Sequence, residues 1–285
     1  MILAEIPASV GSCHQLTILD LVDNRLSGRI PVTFGSLRVL ELLMLYNNSL
    51  EDWKSPLLER LRLGNNQFTS KIPWTLGLIK ELSLLDLSGN SLTGEMPFQL
   101  SLCKKLTHLD LDNSLLFGPI PFWIGSLPLL DELKLSNQFS GYLPRELFNC
   151  FKLLVLSLSG NLHNGSQRPE IGKLEPLNVL NLDSNQLPGP IPPTIGQLSK
   201  LYELHLSQNS FSQIPVEIGQ LQNLQTILDF SYNNLTGKIP PSIGTLSKLE
   251  MLDLSHNQLT GELPQMDEMR SLERLNFSYN NLQGK

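Results

Sequence analysis

Leu249-Glu250-Met251-Leu252-Asp253-Leu254-Ser255-His256-Asn257-Gln258-Leu259-Thr260-Gly261-Glu262-Leu263-Pro264 is one statement of a pattern that the chain repeats along its length. An asparagine equivalent to Asn257 returns at Asn24, Asn48, Asn66, Asn90, Asn161, Asn185, Asn209, Asn233 and Asn280, mostly 24 residues apart. The same leucine spacing surrounds it, as in Leu82, Leu85, Leu87, Asn90, Leu92, Gly94, Met96 and Pro97. A constant period of about 20 to 29 residues with this content predicts stacked coils, because one unit cannot bury its own leucines and must cover a neighbour's.

The alternation before each asparagine reads as a short strand that turns Leu109 and Leu111 inward and His108, Asp110 and Asp112 outward. Coils stacked about 4.7–4.9 Å apart then align these strands into a parallel sheet. The asparagine follows because the chain turns inward after the strand, and a buried side-chain amide satisfies the backbone groups left there. Glycine in L-x-G-x-I-P relieves a crowded turn, and the following proline suits an extended segment that donates no ladder hydrogen bond. Ile243-Gly244-Thr245-Leu246 is too short for an α-helix and predicts a 3-10 turn on the convex side. The fold class is thus a leucine-rich repeat solenoid, α/β by convention. Strand leucines begin at Leu16, Leu40, Leu58, Leu82, Leu106, Leu130, Leu153, Leu177, Leu201, Leu224, Leu249 and Leu272. They predict one domain over 1–285 of about twelve coils, a curved rod on the order of 55 Å long.

The hydrophobic content is 41% and the charged content 17%, and no apolar run reaches the roughly 18 residues that suggest a membrane helix. A net charge of −6 without a basic stripe argues against nucleic acid and anionic membranes. Cys13, Cys103 and Cys150 hold one repeat position and are expected to be buried apolar residues, since coils two apart lie beyond disulfide reach. Four sequons, at Asn47, Asn164, Asn234 and Asn276, would accept sugar in a secretory protein, although sugar on outward-facing Asn276 would obstruct the concave sheet.

With leucines fixing the inside, function falls to the outward positions. Asp20, Asp86, Asp110 and Asp253 repeat in the middle of an L-D-L motif, Asp229 in the matching Leu228-Asp229-Phe230, and all five read as solvated, structural residues. His108 and Asp110 share a face, yet no nucleophile elbow, phosphate loop or zinc motif accompanies them, and no enzyme or cofactor is expected. Arg60-Leu61-Arg62 places two guanidiniums side by side, a geometry suited to holding a carboxylate unless Glu59 or Asp86 pairs with them. Tyr46, His108, Lys134, Tyr202 and His205 are candidates to extend such a groove.

Phrases such as Leu252–Gly261 resemble the plant-specific class of leucine-rich repeat over nearly the whole chain. Leu40–Leu50, Lys71–Leu87, Cys103–Leu109, Lys152–Leu158 and Ile214–Leu224 resemble, more narrowly, the ectodomain of GASSHO-type receptor-like serine/threonine kinases. That resemblance implies an extracellular module at the plasma membrane that binds a small secreted, tyrosine-sulfated peptide together with a shorter leucine-rich repeat co-receptor kinase. It also implies that Arg60 and Arg62 receive the peptide's free C-terminus, and that Tyr232, His256 and Tyr279 lie where the co-receptor docks. The chain opens in mid-repeat with no apolar signal segment, and carries no transmembrane helix, cysteine-rich cap or kinase motif set, as expected of an ectodomain fragment or a truncated, non-functional copy. A secreted inhibitor of a cell-wall-degrading enzyme is the alternative, disfavoured because such inhibitors carry paired-cysteine caps.

Several coils depart from the pattern. Asn48 and Asn66 are 18 residues apart with Glu51–Pro56 in place of a full turn, Ser114 replaces a ladder asparagine, and His163 replaces a leucine, with Gln167 and Arg168 in place of Ile-Pro. Burying the His163 imidazole without a partner would cost a few kcal/mol. Uncapped leucines at both ends predict that the isolated chain frays or associates, and a clean, monomeric, cooperative melt would contradict this.

Overall fold

The computed structural model describes residues 4–52, 59–165 and 169–284. Contacts gather into two compact units, Met1–Phe139 and Ser140–Lys285. Each is a stack of coils with short parallel strands on one side and 3-10 helices on the other, as the repeat predicts.

In the first unit the inner sheet consists of β1 (Ile18–Asp20), β2 (Leu42–Met44), β3 (Arg60–Arg62), β4 (Leu84–Asp86), β5 (His108–Asp110) and β6 (Glu132–Lys134). Register without slippage aligns Leu43, Leu61, Leu85, Leu109 and Leu133 inward, all fully buried. Outward it creates two columns: Ile18, Leu42, Arg60, Leu84, His108 and Glu132, beside Asp20, Met44, Arg62, Asp86, Asp110 and Lys134. The second unit repeats the scheme with β7 (Val155–Ser157), β8 (Val179–Asn181), β9 (Glu203–His205), β10 (Ile227–Asp229), β11 (Met251–Asp253) and β12 (Arg274–Asn276). Fully burying each leucine contributes about 2 kcal/mol, so the inward column sets the register.

Proline ends the extended outer segment and starts the convex turn. Pro73, at φ −64° and ψ 127°, precedes the 3-10 helix Trp74–Leu78, and Pro240 precedes Pro241–Thr245. Gly77 is required on that side, because a Cβ there would sit 2.1 Å from the Gln99 carbonyl oxygen of the adjacent coil. Gly94, in the L-x-G motif, adopts φ +88°, which a side chain would strain.

The asparagines form the expected ladder. Asn209 Nδ2 donates to Leu182 O of the preceding coil at 2.9 Å and to Ser207 O of its own coil at 3.0 Å, while its Oδ1 accepts from Leu187 N at 3.0 Å. Asn90, Asn185, Asn233 and Asn257 repeat this arrangement, each nearly buried. The residue before the asparagine takes a left-handed conformation in both units, from Asp23 (φ 56°) and Asn47 (φ 56°) to Tyr232 (φ 53°), His256 (φ 54°) and Tyr279 (φ 55°). This turn swings the amide inward, and sequence reading did not anticipate it.

One expectation is corrected, at Cys13, and three irregular positions take definite form. Cys103 and Cys150 are buried, but Cys13 is exposed, because no described coil packs over that side of its turn. His163 is not left without a partner: its Nδ1 lies 3.2 Å from Gly141 O, only Nε2 is unsatisfied, and burial holds the imidazole below its ordinary pKa. Leu263, in the slot that Met96 and Ile239 fill as buried residues, is 52% exposed. The short Gln265–Arg270 stretch beyond it makes only turns, with no 3-10 helix to cover that leucine. Glu51 and Asp52 end a strand, Ser49–Asp52, paired to Leu26–Arg29 with a register shift between Gly28 and Arg29. The rest of that irregular stretch, including Leu58, lies outside the described residues, as do Gln167 and Arg168.

Ser114 leaves a gap in the ladder: its Oγ is buried with no hydrogen-bond partner. By the geometry of Asn90, an amide here would donate to Leu87 O and accept from Leu92 N. Ser114→Asn is therefore expected to stabilise the fold by about 1–3 kcal/mol, read from urea unfolding midpoints; an unchanged or lower midpoint would contradict this account of the ladder.

Candidate functional site

Leu61 is anchored in the core, so both neighbours on β3 must project outward, and Arg60 and Arg62 are exposed. Among the described residues neither guanidinium makes an ion pair, so the expected competition from Glu59 or Asp86 is not realised. Asp86 is occupied elsewhere, its Oδ1 accepting from Ser88 N at 3.0 Å and Ser88 Oγ at 2.7 Å. Two adjoining clefts open on this surface. One is lined by Met44, Arg60, Arg62, Leu84, Thr107 and His108, the other by Arg62, Leu84, Asp86, His108, Asp110 and Glu132. Two cations thus border a strip of apolar and polar side chains, a combination chemically suited to holding an anion beside an apolar contact.

The other candidates divide between the units. His108 lies two strands from Arg60 in the same outward column, and Lys134 shares the Arg62 column. Both are engaged with acids: His108 Nδ1 stands 3.4 Å from Asp131 Oδ1 and Nε2 3.5 Å from Glu132 Oε2, while Lys134 pairs with Glu132 and lies 3.7 Å from Asp110 Oδ2. Burial lowers the Lys134 pKa, but the Glu132 hydrogen bond and charge outweigh it and the net shift is upward. Tyr46 is half-buried two residues after β2. Tyr202 and His205 belong to the second unit, where Tyr202 is 40% exposed and His205 sits 3.7 Å from Asp183 and 3.6 Å from Glu203.

The L-D-L aspartates are structural, but they do not stand free in water. Asp20, Asp86, Asp110, Asp229 and Asp253 each accept a hydrogen bond from the backbone N–H two residues on, at 2.9–3.1 Å, closing a turn as the strand ends. Asn181 and Asn276 use their side-chain oxygens in the same way. Asp110 is also half-buried between like charges, and its pKa is pushed up to about 6, mainly by burial, with Asp112 and Asp86 adding repulsion. Burial likewise raises Asp112 and Asp183. Among the described residues no group of three or more His, Cys, Asp or Glu side chains is placed to hold a metal ion. The thiols of Cys103 and Cys150 are pushed by burial to about 11 and about 12, far from a reactive range.

In the second unit Tyr232, His256 and Tyr279, one per coil, stack face to face at centroid separations of 4.0 and 4.1 Å. The sequence placed these residues beside the ladder without showing that they touch. Contact follows from the shared left-handed turn, which points equivalent side chains along the same line.

Leucine-rich repeat models match residues 199–259 and, repeat by repeat, 15–37, 57–78, 81–103, 105–127 and 176–198. A leucine-rich repeat protein of Leptospira interrogans is 34% identical at a TM-score of 0.83, over 98% of this chain and 71% of that one. The chain belongs to the leucine-rich repeat family. Within it, the ectodomain of the Arabidopsis thaliana membrane receptor kinase GASSHO1/SCHENGEN3, solved with CASPARIAN STRIP INTEGRITY FACTOR 2, is 55% identical at a TM-score of 0.84. That match covers 99% of this chain and 41% of the ectodomain. The Arabidopsis receptor kinase HAESA, solved with the peptide hormone IDA and the co-receptor SERK1, is 35% identical at a TM-score of 0.91, over 99% of this chain and 49% of that one. Curated Arabidopsis thaliana receptor-like proteins match about a third of the chain, which spans 10–12% of their length. The repeat is thus of plant receptor-ectodomain type, and no described helix is long and apolar enough to cross a membrane.

The Asp110 shift sets a pH dependence. A carboxyl with a raised folded-state pKa contributes stability that is present below the unfolded value near 4 and is lost as pH rises through about 6. Relative to Asp110→Asn, which keeps the turn-closing oxygen, the natural protein is expected to lose about 1–3 kcal/mol of unfolding free energy between about pH 4 and 7. Parallel pH curves for the two proteins in chemical denaturation would contradict the assignment.

Proposed function

We propose that this chain is the ligand-reading part of a plant receptor ectodomain, facing the extracellular side of the plasma membrane. Its outward sheet binds an extended secreted peptide, and Arg60 and Arg62 receive the C-terminal carboxylate. The carrying observation is that pair: two exposed guanidiniums on alternate positions of one strand, without ion partners among the described residues, beside clefts lined by Met44, Leu84 and His108. Charge-assisted, bidentate bonds from such a fork select a planar anion over a neutral amide. Tyr46, His108 and Lys134 flank the path of the peptide in the first unit, and Tyr202 with His205 supplies polar and aromatic contacts in the second.

The similarity to GASSHO1/SCHENGEN3 at 55% identity, solved with CASPARIAN STRIP INTEGRITY FACTOR 2, supports a GASSHO-like ligand, and the family resemblance makes that ligand a small, tyrosine-sulfated peptide. The HAESA complex, which includes the co-receptor SERK1, supports assembly with a co-receptor, and the family resemblance makes that partner a shorter leucine-rich repeat kinase. Catalysis has no place in this reading; the sheet presents a recognition surface, and a kinase would act as a separate part of the whole receptor.

The test is calorimetry with CASPARIAN STRIP INTEGRITY FACTOR 2 carrying either a free or an amidated C-terminus. The natural chain is expected to bind the free acid about 100-fold more tightly, at roughly 1.5–3 kcal/mol for hydrogen bonds to a charged group. Arg60→Ala with Arg62→Ala is expected to erase that preference. Equal affinity for the two peptides in the natural chain would end the proposal.

A further inference from the structure

The structure separates the four sequons by what their side chains already do. Asn47 occupies a left-handed position in a file of side chains: its Nδ2 donates to Asp23 Oδ1 at 2.6 Å and its Oδ1 accepts from Asn65 Nδ2 at 2.8 Å. Asn276 lies in β12, donating from Nδ2 to Asp253 Oδ2 at 3.0 Å and accepting from Ser278 N and Oγ. A sugar on either nitrogen breaks those bonds, and on Asn276 it would also stand on the inner sheet. Asn164 is exposed, and its hydroxyl residue, Ser166, lies outside the described residues.

Asn234 differs on each count. It follows the ladder residue Asn233, off the inner sheet, and its backbone N–H is bonded to Phe211 O at 3.0 Å, so the chain is held there. Its side chain is exposed and makes no hydrogen bond within the described residues. The intervening Leu235 is fully buried, which forces Asn234 and Thr236 to the same solvent side. The exposed ring of Tyr232 stands two residues before it, near enough in sequence to pack against the C–H face of a first sugar.

We propose that Asn234 is an N-glycosylation site of this chain and that Asn47 and Asn276 stay unmodified. In the transfer, Asn234 Nδ2 bonds to the anomeric carbon of a diphosphate-linked oligosaccharide. The anomeric C–O bond to diphosphate breaks, the lipid diphosphate leaves, and the amide gives up one proton. The glycan then rises from the second unit beside the Tyr232–His256–Tyr279 stack. The assignment rests on the extracellular reading above.

The test places the full chain behind a secretory leader in plant cells and maps the purified product by glycopeptide mass spectrometry. The expected result is sugar on the Asn234 peptide and bare Asn47 and Asn276 peptides. Both Asn234→Gln and Thr236→Val are expected to lose that glycan, the second with Asn234 still present, while the circular dichroism spectrum is unchanged. A folded, secreted chain with bare Asn234, or with sugar on Asn47 or Asn276, overturns the assignment. Occupied Asn234 on the leader-directed chain, with the natural gene product retained in the cytosol, upholds the site and overturns the extracellular reading instead.

Discussion

Turning a chain inward after every strand brings peptide groups into an apolar interior where no water can satisfy them, and an unpaired buried group costs roughly 1–3 kcal/mol. The ladder amides resolve this. Asn209 alone binds carbonyls of two coils and receives an N–H from the outer segment of the preceding one. Each amide ties its own turn to its neighbour's, so the same bonds that allow the turn also fix coil against coil. The leucines fill the space this arrangement defines.

Because the inner face is committed to that task, chemistry is confined to side chains on the outer face of each strand. Many of these are occupied as well. The aspartates close turns, His108 and His205 sit between carboxylates, and Lys134 is paired with Glu132. Arg60 and Arg62 stand apart because their neighbours across the sheet, Leu42, Met44, Leu84 and Asp86, are either apolar or already bonded. The proposed recognition surface is defined as much by which groups are taken as by which are present.

The departures from the repeat show what the ladder tolerates. Ser114 leaves a buried hydroxyl unsatisfied, and His163 fills a leucine slot with one ring nitrogen bonded and the other bare. Both sit between coils whose leucines are fully packed, so the local deficit is carried by neighbours on either side.

Period, leucine spacing and asparagine position determined the coil, its inward residues and the 3-10 turns, because burial and backbone satisfaction act within one repeat and its immediate neighbour. The Arg60–Arg62 pair was legible for the same reason: alternation on a strand is local. The structure alone decided which side chains meet across coils. It showed that Arg60 and Arg62 lack ion partners among the described residues, that the L-D-L aspartates close turns, and that Tyr232, His256 and Tyr279 stack. Such contacts depend on rotamers and on a left-handed turn before each asparagine, which a tyrosine or histidine adopts only when the surrounding ladder holds it there.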